Sequence, residues 1–106
     1  MSKREQKPHR DSLYETILML KDLEECKKFF EDLCTVGELR AMEQRFEVAL
    51  LLDDGMIYND ILERTGASSA TISRVNRALH YGSDGYQQVL PRAKEALREK
   101  KGSQDE

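Results

Sequence analysis

Long apolar runs are missing from this sequence. The longest, Val48 to Leu52, spans five residues, against about 20 for a membrane-crossing helix. The opening stretch, Met1 to Arg10, is polar and charged and has no apolar centre of the kind an export signal carries. A cytosolic protein with no membrane association is expected. Cysteine is scarce: Cys26 and Cys34 are the only two. They stand eight apart, with no CxxC and no clustered histidines, which supports neither a zinc site nor a disulfide framework. Two small, partly buried thiols are the expectation. The two histidines, His9 and His80, fall in the polar start and at a helix end. No nucleophile has a neighbouring base at a recognisable spacing, and Glu24-Glu25 and Asp53-Asp54 read as ordinary solvated pairs. The chain is therefore not read as an enzyme, and no metal or resident cofactor is expected.

Sustained two-residue alternation is also missing, which removes the pattern that strands need. The 106 residues suit one domain. With 39% hydrophobic and 35% charged residues, the composition is that of a folded, highly charged helical protein rather than a disordered one. An all-α fold follows: a flexible basic arm over 1–10, one helical domain over 11–101 and a polar tail over 102–106. Pro8 discourages helix at Lys7. Ser12-Leu-Tyr-Glu15 has the form of a capping box and predicts a helix start, with Leu13, Ile17, Leu20 and Leu23 along one face. Asp22-Leu-Glu-Glu25 is a second capping signal. It marks a break, or else the helix runs on to Leu33 through Cys26, Phe29 and Phe30. Thr35-Val-Gly-Glu38 opens a helix that Asp53-Asp54-Gly55 ends, with Gly55 as a left-handed cap. The two acids at that C-terminus oppose the helix dipole and are expected to fray its last turn. Further helices are predicted over Tyr58–Thr65 and Ser68–Leu79. After a loop at Tyr81–Gly85, Ser83 or Asp84 caps a short helix Tyr86–Leu90, and Pro91 begins another that reaches about Lys101.

The net charge of −3 argues weakly against a nucleic-acid partner, but its distribution argues the other way. Residues 1–10 carry +3 and residues 11–56 carry −7. Residues 67–80 contain no acid at all, only Arg74 and Arg77, with His80 at the end. The arm and this acid-free stretch are the parts able to approach phosphate without repulsion.

The acid-free stretch has the layout of the second helix of a helix-turn-helix over 58–79. Gly66 sits where the chain must turn, and Ser68 is placed to cap the next helix with its hydroxyl. Ile61 and Leu62 supply apolar surface before the turn. Ile72, Val75 and Leu79 recur after it on one face and predict an inward stripe. Ala70, Ser73, Arg74 and Arg77 then point outward, with Ser69 and Thr71 at the margins near the N-terminus. Small residues let a helix enter the major groove, hydroxyls reach base edges directly or through water, and arginine forks onto guanine or phosphate. A plain surface hairpin would instead show Glu and Lys pairs on its outward face. Two details depart from common motifs: Leu62 stands where a small residue is usual, implying a wider helix crossing, and Ile57 cannot cap the first helix with its side chain.

Three segments carry a family likeness: Thr35-Val-Gly-Glu-Leu-Arg-Ala-Met-Glu-Gln-Arg45, Leu50-Leu-Leu-Asp-Asp-Gly55 and Gly66-Ala-Ser-Ser-Ala-Thr-Ile-Ser-Arg74. From Thr35 to Leu79 the chain resembles the Trp repressor family and, within it, the YerC/YecD-type Trp-repressor-like proteins. The stretch between Gly55 and Gly66 is one residue shorter than in the repressor. The resemblance implies an all-helical, intertwined homodimer whose two recognition helices enter successive major grooves of a palindromic operator. The DNA-contacting residues would be Ser68, Ser69, Ala70, Thr71, Ser73, Arg74 and Arg77. It also implies a small-molecule corepressor between two arginines, which fall at Arg45 and Arg74. The rest of that pocket departs from the pattern. Val75 replaces a glycine and narrows the slot, and Ala78 replaces a serine and removes a polar anchor. Tryptophan sensing is thus not expected to carry over, and the effector stays unidentified. Without a ligand, Arg45 would form a salt bridge on its own helix, with Glu38 as partner, and Arg74 would meet phosphate. The competing reading of the whole chain is a helical dimer that docks on another protein without DNA. The basic arm, Lys3 to Arg10, would either reach neighbouring phosphates or serve as a solubilising tail.

Overall fold

The computed structural model describes residues 10–104 and consists, over those residues, of six α-helices and no strand. They are α1 (Asp11–Ile17), α2 (Leu23–Leu33), α3 (Val36–Asp53), α4 (Tyr58–Thr65), α5 (Ser69–Tyr81) and α6 (Gly85–Gln104). The all-α expectation holds. None of the helices is long and apolar enough to cross a membrane. Most of the basic arm and the last two residues of the tail lie outside the described residues. The chain forms two compact units, Met1–Leu39 and Arg40–Glu106.

In the first unit, α1 begins two residues earlier than a Ser12 cap implies, at Asp11 rather than Leu13. Arg10 stands at its N-cap without a side-chain bond, so the Ser12–Glu15 box is not formed. Ser12 contributes its carbonyl instead, accepting a 2.8 Å bond from Thr16 Oγ1. Of the two readings of Asp22, the break is the one found. Asp22 Oδ1 accepts from the Glu25 N–H, and Glu25 Oε1 accepts from the Lys21 N–H, both at 2.8 Å. These two bonds satisfy amides that a helix start leaves unpaired. The Thr35–Glu38 box closes reciprocally, at 3.1 Å onto Thr35 Oγ1 and 2.8 Å onto Glu38 Oε1. Phe29 and Phe30 meet edge to face at 5.6 Å, and Cys26 and Cys34 are partly buried free thiols. No residue of α1 or α2 is fully buried. Leu13, Leu18, Met19, Leu23, Leu33 and Val36 are all exposed.

The second unit holds the core. Val48 and Ala49 of α3, Ile61 of α4, Ala67 of the turn, Ile72, Val75 and Leu79 of α5, and Leu90 of α6 form one buried cluster. α3 ends at Asp53 and Gly55 adopts φ +87°, as expected of its cap. The neighbouring acids are not simply solvated. Lys94 Nζ lies 2.7 Å from both Asp53 Oδ2 and Asp54 Oδ1, supplying the cation that a helix C-terminus favours. These hydrogen bonds, first to Asp53 and then to Asp54, raise the Lys94 pKa above its ordinary value against a smaller opposing effect of burial.

The C-terminal region is one helix where the sequence suggested two, and it continues past Lys101 to Gln104 with Pro91 inside it. A proline there removes one backbone bond and crowds the preceding turn, at a cost of about 3 kcal/mol. Contacts on both sides hold the helix together regardless. Leu90 is 2% exposed in the core, and Lys94 is tied to the end of α3. Before Pro91, Gln87 Nε2 donates 2.6 Å to the Leu79 carbonyl. The helix opens on the Asp84 carbonyl, which accepts the Gln88 N–H at 3.1 Å.

Candidate nucleic-acid interface

The short pair α4 and α5 packs directly together, and the connection between them is three residues long. As anticipated, Ile57 at the α4 N-cap makes no side-chain bond. At the other end Gly66 takes φ +74° and its N–H reaches the Leu62 carbonyl at 2.9 Å. A side chain with a β-carbon would be strained in that left-handed conformation. Ala67 then drops into the core at 3% exposure. Ser68 caps α5 by accepting the Thr71 N–H at 3.1 Å, and its hydroxyl also lies 3.1 Å from Thr71 Oγ1.

From that start α5 divides into two faces. Ile72, Val75 and Leu79 are 0, 2 and 5% exposed, so the inward stripe read from the sequence is the one that packs. Ser68, Ser69, Ala70, Ser73, Arg74 and Arg77 are exposed, while Thr71 and Asn76 are partly buried. The outward surface therefore brings together small side chains, hydroxyls and two guanidiniums on a rigid helix. Among the described residues, neither Arg74 nor Arg77 is engaged in a salt bridge. Both keep their full donor capacity for an incoming anion.

The two arginines linked to a corepressor are placed differently. Arg45 is partly buried on α3, whereas Arg74 is exposed on α5. Glu38, the alternative partner of Arg45, engages its Oε1 with the Thr35 amide. A hollow of about 430 Å³ beside the end of α5 is lined by Ala78, Phe46, Gly82, Ser83, Gly85, Tyr86 and Val89, and by neither arginine. Its lining carries no charge to meet a carboxylate or an ammonium. Val75 is part of the core rather than of an open slot. Among the described residues no cluster of three His, Cys, Asp or Glu side chains could hold a metal ion.

Sequence reasoning missed several contacts that fix the site. Gln44 Nε2 donates 3.3 Å to the Thr65 carbonyl, from α3 into the turn. Thr65 Oγ1 donates 2.7 Å to the Ile61 carbonyl and accepts the Ala67 N–H at 3.1 Å. The close approach at Gly82 was also invisible: a β-carbon there would lie 2.4 Å from the Ala78 carbonyl oxygen. A threonine late in a helix followed by glycine is a weak signal for such a bond, and the 21-residue separation of Gln44 and Thr65 leaves no trace in periodicity.

Comparison with known proteins places these features in context. The family model described as Trp repressor protein matches residues 9–94. The uncharacterised protein YerC of Bacillus subtilis (strain 168) is 55% identical over 85 residues, covering 80% of this chain and 82% of YerC. The crystal structure of a TrpR-like protein from Eubacterium eligens ATCC 27750 superimposes with a TM-score of 0.76 at 55% identity, covering 79% of this chain and 87% of that one. A candidate Trp repressor from Staphylococcus aureus gives a TM-score of 0.78 at 42% identity, over 89% and 95% of the two chains.

Proposed function

Because this chain belongs to the Trp repressor family, we propose that it is a helix-turn-helix transcription regulator that binds double-stranded DNA as a homodimer, most simply as a repressor in the cytosol. The observation that carries this reading is the exposed, acid-free face of α5. Ser68, Ser69, Ala70, Thr71, Ser73, Arg74 and Arg77 form its contact set, held from behind by Ile72, Val75 and Leu79. The helix N-terminus carries the hydroxyls toward base edges, and the arginines meet guanine or phosphate. A dimer is supported by the apolar side chains that a single copy leaves in water, among them Leu18 at 85% and Met19 at 70% exposure. Two-fold symmetry of the dimer calls for a palindromic site with half-sites about one helical turn apart.

A tryptophan-like effector between Arg45 and Arg74 is disfavoured. Val75 is buried in the core, and Ala78 offers no hydroxyl to an amino group. Selecting bound duplexes from a random pool, with and without a panel of amino acids, tests both points. The expected result is a palindromic consensus whose recovery does not depend on tryptophan. Failure to enrich any duplex at low salt would sink the DNA-binding reading and favour docking on another protein.

A further inference from the structure

We propose that Gln44 and Thr65 are positioning residues that set the angle of α5 on the duplex, a role that rests on the DNA-binding reading above. Three bonds converge on the α4–α5 connection. The Thr65 hydroxyl bridges the Ile61 carbonyl at 2.7 Å and the Ala67 amide at 3.1 Å, so one side chain ties the last turn of α4 to the first residue beyond Gly66. The Thr65 carbonyl, an acceptor that the end of a helix leaves without an intrahelical partner, takes the Gln44 amide from α3 at 3.3 Å. Gly66 lies between these anchors at φ +74°. As the residue with the least steric restraint on φ and ψ, it is where the connection would bend if the anchors were lost.

The geometry makes small errors matter. Arg77 lies eight residues beyond Ser69, about 12 Å along the helix. A 10° swing about the turn would carry it sideways by about 2 Å, beyond the tolerance of a hydrogen bond to a base edge. Flexible arginines can follow a phosphate over that distance, so the loss should fall on sequence discrimination rather than on overall DNA affinity. Loss of the long Gln44 bond should change stability little, whereas Thr65→Val leaves the Ala67 amide without its acceptor and should lower stability modestly. The neighbouring Val48, Ala49, Ile61, Ala67 and Ile72 already form the packed core.

The variants are Gln44→Met, which keeps length and loses the donor, Thr65→Val, which keeps the branch and loses the hydroxyl, and Thr65→Ser, which retains the hydroxyl. Affinity is measured for the duplex selected by the wild type and for a scrambled duplex, alongside amide exchange at Ala67. Gln44→Met and Thr65→Val are each expected to weaken the selected complex about three- to tenfold. The scrambled complex should be unchanged, and Thr65→Ser should restore the ratio. Ala67 exchange should quicken in Thr65→Val and not in Thr65→Ser. Wild-type discrimination in both donor-less variants, an equal loss on both duplexes, or unaltered Ala67 exchange in Thr65→Val would overturn the assignment. A wild type that selects no duplex marks failure of the DNA reading itself, whereas a selective wild type with equally selective variants marks failure of this inference alone.

Discussion

Alanine at both Arg74 and Arg77 gives the sharpest view of how α5 works. Both side chains are exposed and outside any salt bridge among the described residues, so stability should stay within about 0.5 kcal/mol of wild type. In a dimer the change removes four positive charges. If all four neutralise phosphates, the slope of log affinity against log salt should flatten by about 3.6. The advantage of the wild type over the variant would then shrink by about two orders of magnitude between 50 and 200 mM salt. If the guanidiniums read guanine instead, the slope should hold while discrimination drops by about 1–3 kcal/mol per lost contact. Anisotropy titrations of selected and scrambled duplexes over a salt series separate the two outcomes. A folded double variant with wild-type affinity and slope on both duplexes would refute the assignment of this face to DNA.

The remaining predictions concern the frame that carries the face. Ile72→Ala empties a site that is 0% exposed and should cost about 2–5 kcal/mol in urea unfolding; a loss near zero would mean that α5 does not depend on this stripe. Gly82→Ala places a β-carbon 2.4 Å from the Ala78 carbonyl oxygen and should cost about 1–3 kcal/mol as the end of α5 shifts, which a melting curve superimposable on wild type would contradict. Lys94→Met removes the cation shared by Asp53 and Asp54 and should lower the urea midpoint at neutral pH. Because the folded-state pKa of Lys94 is raised, its contribution should be complete below the unfolded lysine value of about 10.4 and vanish as pH rises through the raised value. A gap between wild type and variant that persists at higher pH would show that the ammonium is not its cause.

Local chemistry was legible wherever it depended on neighbours in the chain. The Thr35 box, the Gly55 and Gly66 turns, the Ser68 cap and the buried trio of α5 all follow from spacings of a few residues. The Ser12 signal misled because a capping box competes with other local partners, and here Arg10 stands at the cap position instead. Arg45 and Arg74, which the resemblance alone associates with a corepressor, were legible as residue types at family positions, but not in their burial: one partly buried, the other exposed.

The sequence alone thus determined that α5 is an acid-free helix with one apolar stripe, because helical periodicity and side-chain charge are local properties. Tertiary structure decided three other things. It kept α6 whole through Pro91, because Leu90 and Lys94 are held by residues far away in the chain. It turned Asp53 and Asp54 from a solvated pair into an anchor for Lys94. It tied the α4–α5 turn to α3 through Gln44 and Thr65. For the Lys94 and Gln44 bonds the partner lies more than twenty residues away, and only packing brings the two within bonding distance.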